Sequence, residues 1–213
     1  MRRLPARLHS AFQRLWAKPL EEEPDCPDLF RCYRALLAHP EVERQPGGWK
    51  YRGKFYPDYL TVGGASFAIA REALKYCRGK GIDVGAGWWP LPGAIPVDSW
   101  RGPGASTRFD EIPESSLDYV FSSHCLEHNA NWPEVLSQWI SKLKLGGLLF
   151  LYLPHPECGI WNPGSPFVGE EHKWRPSPEI LKTKLGDMGC TIAAFDDGPD
   201  AMYSFWVSAR KQA

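Results

Sequence analysis

Short apolar runs alternate with helical patterns in the second half of the chain. Four of the runs, at 81–85, 94–98, 117–122 and 147–153, have the length of buried strands. Between the last two, apolar residues recur at helical spacing over residues 132–145, which predicts an amphipathic helix with one face in the core. This alternation predicts a parallel sheet with helices on its faces.

The end of the chain follows a different pattern. A helix predicted over about 177–188 is followed by apolar runs at 190–195 and 202–209, which are joined by Asp-Asp-Gly-Pro-Asp at 196–200. Two strands joined by so short a turn must be antiparallel neighbours. The sequence therefore predicts an α/β fold whose sheet is mostly parallel and ends in an antiparallel hairpin.

Residues 1–23 form a separate pattern. Apolar side chains recur at helical spacing from Leu4 to Trp16, with basic residues between them and no acidic residue before Glu21. A basic amphipathic helix of this type lies on an anionic membrane surface, here through residues 1–18, docks on a partner, or packs on its own domain. The sequence leaves these three arrangements open.

A loop rich in aromatic residues is predicted after a second helix at about 29–39. Glycine, proline and five aromatic side chains are concentrated between residues 47 and 59. Surface loops often carry function and can close over a ligand, so this loop is interpreted as a lid. Residues 1–60 are accordingly assigned to an N-terminal helical segment with a lid-like loop, and residues 61–213 to the main domain.

Composition limits the class of protein. The 25 Lys and Arg residues balance the 25 Asp and Glu residues, so net charge provides no argument for binding nucleic acid. The six cysteines are scattered and lack CxxC spacing, which is typical of reduced thiols in a cytoplasmic protein. No apolar run reaches the length of a transmembrane helix. We therefore expect a cytoplasmic protein.

A candidate binding site begins at the first of the four strands. Gly85 and Gly87 end the run Gly-Ile-Asp-Val-Gly-Ala-Gly at 81–87, and two closely spaced glycines let a ligand contact bare backbone. Asp98 ends the next strand, where a carboxylate can accept hydrogen bonds from the paired hydroxyls of a ribose. Each feature alone also occurs in ordinary turns, but their order and spacing together indicate nucleoside binding.

Four segments give the chain a resemblance to the class I S-adenosylmethionine-dependent methyltransferases, and above all to the group called methyltransferase type 11. They are the glycine run at 81–87, the strand that ends in Asp98, the stretch at 110–128 that ends in Leu-Glu-His, and Leu-Lys-Leu-Gly-Gly at 143–147. The resemblance implies a Rossmann-like, mostly parallel sheet of seven strands. It also implies that 61–213 is a methyltransferase domain and that S-adenosylmethionine is its cofactor.

The same resemblance implies contacts with the methionyl end of the cofactor. Gly85 and Gly87 would let its carboxylate and amino group approach the loop, and Asp83 would help to hold the amino group. The chain departs from the family where Trp89 occupies a position that is usually glycine. Only fifteen residues separate Asp83 from Asp98, which predicts a turn, and so a shortened first helix, after the first strand. Whether Trp88 and Trp89 obstruct or line the site is left open.

Contacts with the nucleoside end are implied in the same way. Asp98 would accept both ribose hydroxyls, Asp110 would bind the adenine amino group, and Ile112 would pack on the adenine ring. Ser122 and His124 leave the carboxyl end of the fourth strand of the family fold, which is the edge where ligands collect in open α/β sheets.

The predicted reaction is transfer of a methyl group to a small-molecule or saccharide-like acceptor. The sulfonium methyl is an electrophile, so the enzyme has mainly to align and desolvate the nucleophile for in-line displacement. His124 is the candidate catalytic base or acceptor contact, because imidazole titrates near neutral pH. The acceptor and the oligomeric state are not specified.

The sequence also bears on three other functions. A protein with the same fold that binds the cofactor poorly and acts as a scaffold remains the alternative. A nucleic-acid methyltransferase is disfavoured by the zero net charge, and a dehydrogenase by the stretch at 110–128. No metal site is expected, because the spacing of His155, Cys158 and His172 matches no zinc pattern.

Overall fold

The computed structural model describes residues 35–61, 64–87, 89–98 and 108–212. The amphipathic helix predicted for residues 1–23 lies outside these ranges, as does the first part of the helix predicted at 29–39. The strands are β1 (Val42–Gln45), β2 (Gly48–Tyr51), β3 (Lys54–Pro57), β4 (Gly81–Val84), β5 (Ile95–Val97), β6 (Leu117–Ser123), β7 (Leu143–Pro154), β8 (Cys190–Asp196) and β9 (Ser204–Lys211). The helices are α1 (Ala65–Tyr76), α2 (Trp132–Lys142) and α3 (Pro178–Asp187). Short 3-10 turns lie at Asp58–Leu60, Phe109–Glu111, Leu126–His128 and Gly159–Trp161.

The main sheet has the predicted α/β architecture. Its strand order is β5-β4-β6-β7-β9-β8, in which β5, β4, β6 and β7 are parallel and β9 is antiparallel to both of its neighbours. The mostly parallel sheet and its C-terminal hairpin are thus confirmed.

The seventh strand is not confirmed, because the described residues form six strands in this sheet. Between β5 and β6 the described part of the chain contains the 3-10 turn Phe109–Glu111 and no strand. The described residues between β4 and β5 form turns, as the short spacing predicts.

A three-stranded antiparallel sheet occupies the segment predicted to be a lid-like loop. Strands β1, β2 and β3 pair in sequence order. The turns that join them are tight, since Gly47 (φ +78°) precedes β2 and Arg52 (φ +50°) and Gly53 (φ +82°) precede β3. Tyr51 and Tyr56 are buried against the loop that follows β7. Tyr51 and Tyr56 therefore belong to a small core, whereas Phe55 and Tyr59 of the same segment are exposed.

The main core lies on both faces of the large sheet. Along β7, Leu149 and Leu151 pack with residues of α2 and α3, whereas Phe150 and Tyr152 pack with residues of α1. Alternate side chains of a strand point to opposite faces, so one buried strand supplies both layers. This packing fixes the carboxyl ends of β4 and β6 side by side. In the ranges listed above, no helix has the length and apolar character needed to cross a membrane.

Candidate functional site

A cavity of about 360 Å³ opens at the carboxyl edge of the parallel strands. Most of its wall comes from the start of α1, the turn after β4, the segment after β6 and the loop after β7, and Leu60 and Met202 complete it. Open α/β sheets bind ligands at this edge. The volume lies within the range of small-molecule sites.

The turn after β4 forms one wall of the cavity. Gly85 (φ +76°) donates its N–H to the carbonyl oxygen of Val97 at 2.9 Å, which joins the turn to β5. A Cβ atom at this position would lie 2.5 Å from the Sγ atom of Cys125, so only glycine fits. Gly87 (φ +51°) faces open space and donates its N–H to the Oδ2 atom of Asp98 at 2.8 Å. The turn and the end of β5 are therefore held together by backbone donors.

Asp83 lies behind this turn and is fully buried. Its Oδ2 atom accepts a hydrogen bond from the backbone N–H of Leu91 at 2.7 Å, while its Oδ1 atom has no hydrogen-bond partner among the described residues. Burial, reinforced by the nearby charge of Asp98, raises the pKa of Asp83 to about 7. Asp83 supports the turn and does not itself line the cavity.

The residues predicted for the nucleoside end lie outside the cavity wall. Asp98 is half-buried at the end of β5. Asp110 is exposed and pairs with Arg108, whose guanidinium Nη2 atom lies 2.9 Å from its carboxylate. Ile112 is buried in the core cluster next to β4 and β5, and the hydroxyl of Ser122 donates to the carbonyl oxygen of Val84 at 2.9 Å. In the structure Ile112 is thus part of the core, Ser122 is hydrogen-bonded to β4, and Asp98 lies beside the glycine turn.

His124 lies at the cavity directly after β6. Its backbone has φ +49°, and its N–H donates to the carbonyl oxygen of Tyr152 at 2.9 Å. Its Nε2 atom lies 2.8 Å from the hydroxyl of Ser204, and its ring lies 6.3 Å from that of Trp161. Burial lowers the pKa of His124 to about 3, so the imidazole is neutral at physiological pH.

Glu127 is a residue that the sequence analysis did not assign to the site. Its carboxyl group is fully buried at the cavity, and neither oxygen accepts a hydrogen bond from another described residue. Three imidazole nitrogens surround its Oε1 atom: Nδ1 of His124 at 3.7 Å, Nε2 of His172 at 3.9 Å and Nε2 of His128 at 4.0 Å. Burial raises the pKa of Glu127 to about 8.

His172 reaches this cluster from the loop after β7. Its Nδ1 atom lies 2.6 Å from the carbonyl oxygen of Trp161, and its ring lies 4.7 Å from that of His128. Burial lowers the pKa of His172 to about 4. The only sequence signal for the cluster is the Leu-Glu-His run after β6; nothing in the spacing indicates that His172 joins it.

Trp89 forms part of the cavity wall and leaves the cavity open. Its indole is 44% exposed and lies 6.3 Å from the ring of Phe67. Trp89 therefore lines the cavity and does not obstruct it. Trp88 lies outside the described residues.

Comparisons with known proteins identify the fold. No protein-family model matches the sequence, and no curated protein matches it. An S-adenosylmethionine-dependent methyltransferase from Thermotoga maritima has a similar structure, with a TM-score of 0.55 and 15% identity over 72% of this chain and 92% of its own. The corresponding values for such a methyltransferase from Mesorhizobium loti are 0.50 and 16%, over 71% and 100%.

A chain from the complex that contains the Haloferax volcanii methyltransferase activator Trm112 is also similar, with a TM-score of 0.54 and 16% identity over 70% of this chain and 90% of its own. These similarities show that the chain has the fold of class I S-adenosylmethionine-dependent methyltransferases. At this level of identity, they say nothing about the type 11 group or the acceptor.

Proposed function

We propose that this protein is an S-adenosylmethionine-dependent methyltransferase that acts on a small-molecule or saccharide-like acceptor in the cytoplasm. One observation carries the proposal: a single cavity joins the glycine turn after β4 to the segment after β6. In a sheet of this fold, these two segments bring a bound methyl donor next to its acceptor. Residues 61–213 then form the methyltransferase domain.

The glycine turn supports binding of the donor. Gly87 has open space where a side chain would be, so the methionyl group can approach the backbone there. We expect the Asp98 carboxylate, which accepts a hydrogen bond from the Gly87 N–H at 2.8 Å, to bind the ribose hydroxyls. Asp110 can bind the adenine amino group after its ion pair with Arg108 opens, which costs little because both side chains are exposed.

The chemistry requires alignment more than acid–base catalysis. The sulfur–carbon bond of the sulfonium breaks as the acceptor atom bonds to the methyl carbon, and positive charge is lost from the sulfur. We assign His124 as an acceptor contact, because its ring faces the cavity and is held in place by Ser204. Trp161 and Phe167, which also line the cavity, offer aromatic faces that suit a sugar or a flat ring.

Titration calorimetry with S-adenosylhomocysteine tests the proposal. We expect the full chain to bind one molecule. Asp98→Ala should weaken binding by about 100-fold or more, because two charge-assisted hydrogen bonds together contribute about 3 kcal/mol. Asp98→Asn keeps an acceptor for the Gly87 N–H but removes the charge, so its effect should be intermediate. Asp197→Ala, which removes an exposed carboxylate of the C-terminal hairpin, is the control and should bind normally.

The scaffold alternative makes the opposite prediction. A protein that only uses the fold as a binding platform would not bind S-adenosylhomocysteine, and Asp98 would then be indistinguishable from Asp197 in this assay. The open cavity beside Gly87 and the position of Trp89 in its wall do not favour that alternative.

A further inference from the structure

Glu127, His128 and His172 have the arrangement of metal ligands. Their ligand atoms, one carboxylate oxygen and two imidazole nitrogens, all lie within 4.8 Å of one another. The Oε1 atom of Glu127 is 3.9 Å from Nε2 of His172 and 4.0 Å from Nε2 of His128. In a tetrahedral zinc site with bonds of about 2.0–2.2 Å, ligand atoms are about 3.3–3.6 Å apart. Small rotations of the three side chains would therefore bring their ligand atoms to metal-binding distance from one ion.

The carboxyl group of Glu127 lacks the partners that a buried carboxylate needs. It has no exposed surface, and neither oxygen has a hydrogen-bond donor within the described part of the chain. A buried carboxylate is expensive unless it is paired, hydrogen-bonded or bound to a metal. No arginine or lysine lines the cavity in the described residues. A divalent cation would supply the missing positive charge.

A second observation concerns the orientation of His172. Its Nδ1 atom lies 2.6 Å from the backbone carbonyl oxygen of Trp161, so this nitrogen carries the proton and donates. The Nε2 atom of the neutral ring, which lies 3.9 Å from the Oε1 atom of Glu127, then has a lone pair that can bind an ion. A histidine whose other nitrogen donates to a backbone carbonyl is the usual arrangement around a bound metal, because it fixes the tautomer and the ring orientation.

From this geometry we propose that Glu127, His128 and His172 bind a divalent transition-metal ion, with Zn²⁺ as the first candidate. Two imidazoles and one carboxylate suit Zn²⁺ and its first-row neighbours, whereas Mg²⁺ and Ca²⁺ prefer oxygen ligands throughout. Three protein ligands leave a fourth position open.

The open position faces the cavity that also contains Gly87 and His124. An oxygen-donor group of the acceptor, such as a hydroxyl or carboxylate, would complete the coordination and be held next to the methyl donor. This assignment of the acceptor rests on the proposed function, whereas the metal site itself does not.

Cobalt binding tests the site directly. The untagged full chain, freed of metal with a chelator, is titrated with Co²⁺ in the absence of S-adenosylhomocysteine, and the visible absorption bands of the bound ion are recorded. We expect saturation at one ion per chain and displacement of Co²⁺ by Zn²⁺. Failure to bind Co²⁺ at this ratio would overturn the proposal.

Variants locate the ion within the chain. His128→Gln removes the most exposed of the three ligands, with 42% of its side chain accessible, so the fold should tolerate it. It should weaken binding by more than about 100-fold, since changes to residues that merely orient ligands already cost about 10- to 100-fold. His172→Gln should do the same. His155→Gln alters a histidine outside the cluster and should bind Co²⁺ normally; equal weakening in all three variants, or in none, would place the ion elsewhere.

An oxygen ligand tests the open position. Acetohydroxamate, a small molecule that binds metals through two oxygens, should shift the Co²⁺ bands of the wild-type chain; unchanged bands would mean that no coordination position faces the cavity. Binding of S-adenosylhomocysteine is measured separately by calorimetry. Binding of S-adenosylhomocysteine without binding of Co²⁺ would refute the metal site alone, and the reverse result would refute the methyltransferase proposal alone.

Discussion

Two carboxyl groups beside the cavity, those of Asp83 and Glu127, have no exposed surface. Exclusion of water disfavours their charged forms, which is the main reason that both pKa values are raised. Charged groups in such surroundings lower the free energy of unfolding unless a partner compensates. Residues of this kind are more often required by a binding site than by the fold.

Asp83 makes a pH-dependent contribution that can be measured. Its pKa rises from 3.8 to about 7 on folding, so the folded chain retains a proton that the unfolded chain loses between these pH values. The wild-type protein should therefore lose stability as the pH rises from about 4 to 7, by at most about 4 kcal/mol from this residue. Asp83→Asn should remove this contribution to the pH dependence of the free energy of unfolding, as measured by urea unfolding between pH 5 and 8.

Asp118→Asn is the matched control for this prediction. A hydrogen bond from Lys144 lowers the pKa of Asp118, so the stability it contributes is present above its unfolded pKa and lost as the pH falls. Between pH 5 and 8, the free energy of unfolding of Asp118→Asn should therefore run parallel to that of the wild type, whereas that of Asp83→Asn should increase relative to the wild type as the pH rises. Parallel pH profiles for Asp83→Asn and the wild type would mean that Asp83 is not buried as described.

The candidate site could be predicted in part from single residues. Gly85, Gly87 and His124 follow directly after strands, and the structure places all three at the cavity. Residues that follow parallel strands share one edge of a sheet, which is why order along the chain was informative. The proximity of Glu127 and His172 depends on the path of the long loop after β7, and no local pattern encodes that path.

At the scale of elements, the apolar runs of the sequence predict six strands of the large sheet. The six runs correspond to β4 to β9, whereas the seventh strand was implied by the family and the described residues do not form it. The short distance between Asp83 and Asp98 likewise predicts turns instead of a full helix after β4, because a segment of that length is too short for both a helix and a strand. The described residues between β4 and β5 do form turns.

The sequence pattern does not predict the small sheet of β1, β2 and β3, for a different reason. Its strands are four residues long, and glycine and proline around them suggest a loop. Tight turns with positive φ at Arg52 and Gly53 make the strands pair, and aromatic residues gain by burial in a sheet. Composition alone does not separate a tight hairpin from a flexible loop.

Tyr56 connects the small sheet to the loop after β7. Its hydroxyl accepts a hydrogen bond from the backbone N–H of Gly159 at 3.1 Å, and its ring is buried. Tyr56→Phe should lower the free energy of unfolding by about 1–2 kcal/mol, because the Gly159 N–H is left without its acceptor. Chemical denaturation measures the loss, and hydrogen exchange should show faster exchange at Gly159.

Tyr59→Phe provides the comparison on the same segment. The Tyr59 hydroxyl donates to the carbonyl oxygen of Ala201 at 2.8 Å, but its ring is 46% exposed, so water can replace the bond. Its effect should stay within about 0.5 kcal/mol. Equal losses in the two variants would show that the contact with Gly159 does not hold the two parts of the molecule together.

At the scale of the whole molecule, binding of the donor should stabilise the fold. The cavity wall combines α1, the main sheet and the loop after β7, so a ligand there contacts several elements at once. S-adenosylhomocysteine at 100 times its dissociation constant should raise the free energy of unfolding by about 2.7 kcal/mol. For a chain of this length that corresponds to a rise in Tm of about 5–10 °C.

Thermal unfolding with and without S-adenosylhomocysteine checks this expectation. At the same ligand concentration, the Tm of Asp98→Ala should rise by no more than about 2 °C, because its binding is about 100-fold weaker. A rise in Tm of the variant equal to that of the wild type would mean that the molecule binds elsewhere on the surface.

The two glycines of the turn after β4 differ in what holds them in place. At position 85 a side chain is excluded both by the Sγ atom of Cys125 and by the positive φ angle. At position 87 there is open space for a side chain, and only the positive φ angle favours glycine, which asparagine also tolerates. A lineage that stopped using the cavity would keep the first glycine for architectural reasons and be free to replace the second. Among descendants of this chain, the residue at position 87 would therefore be the better marker of which copies remain active.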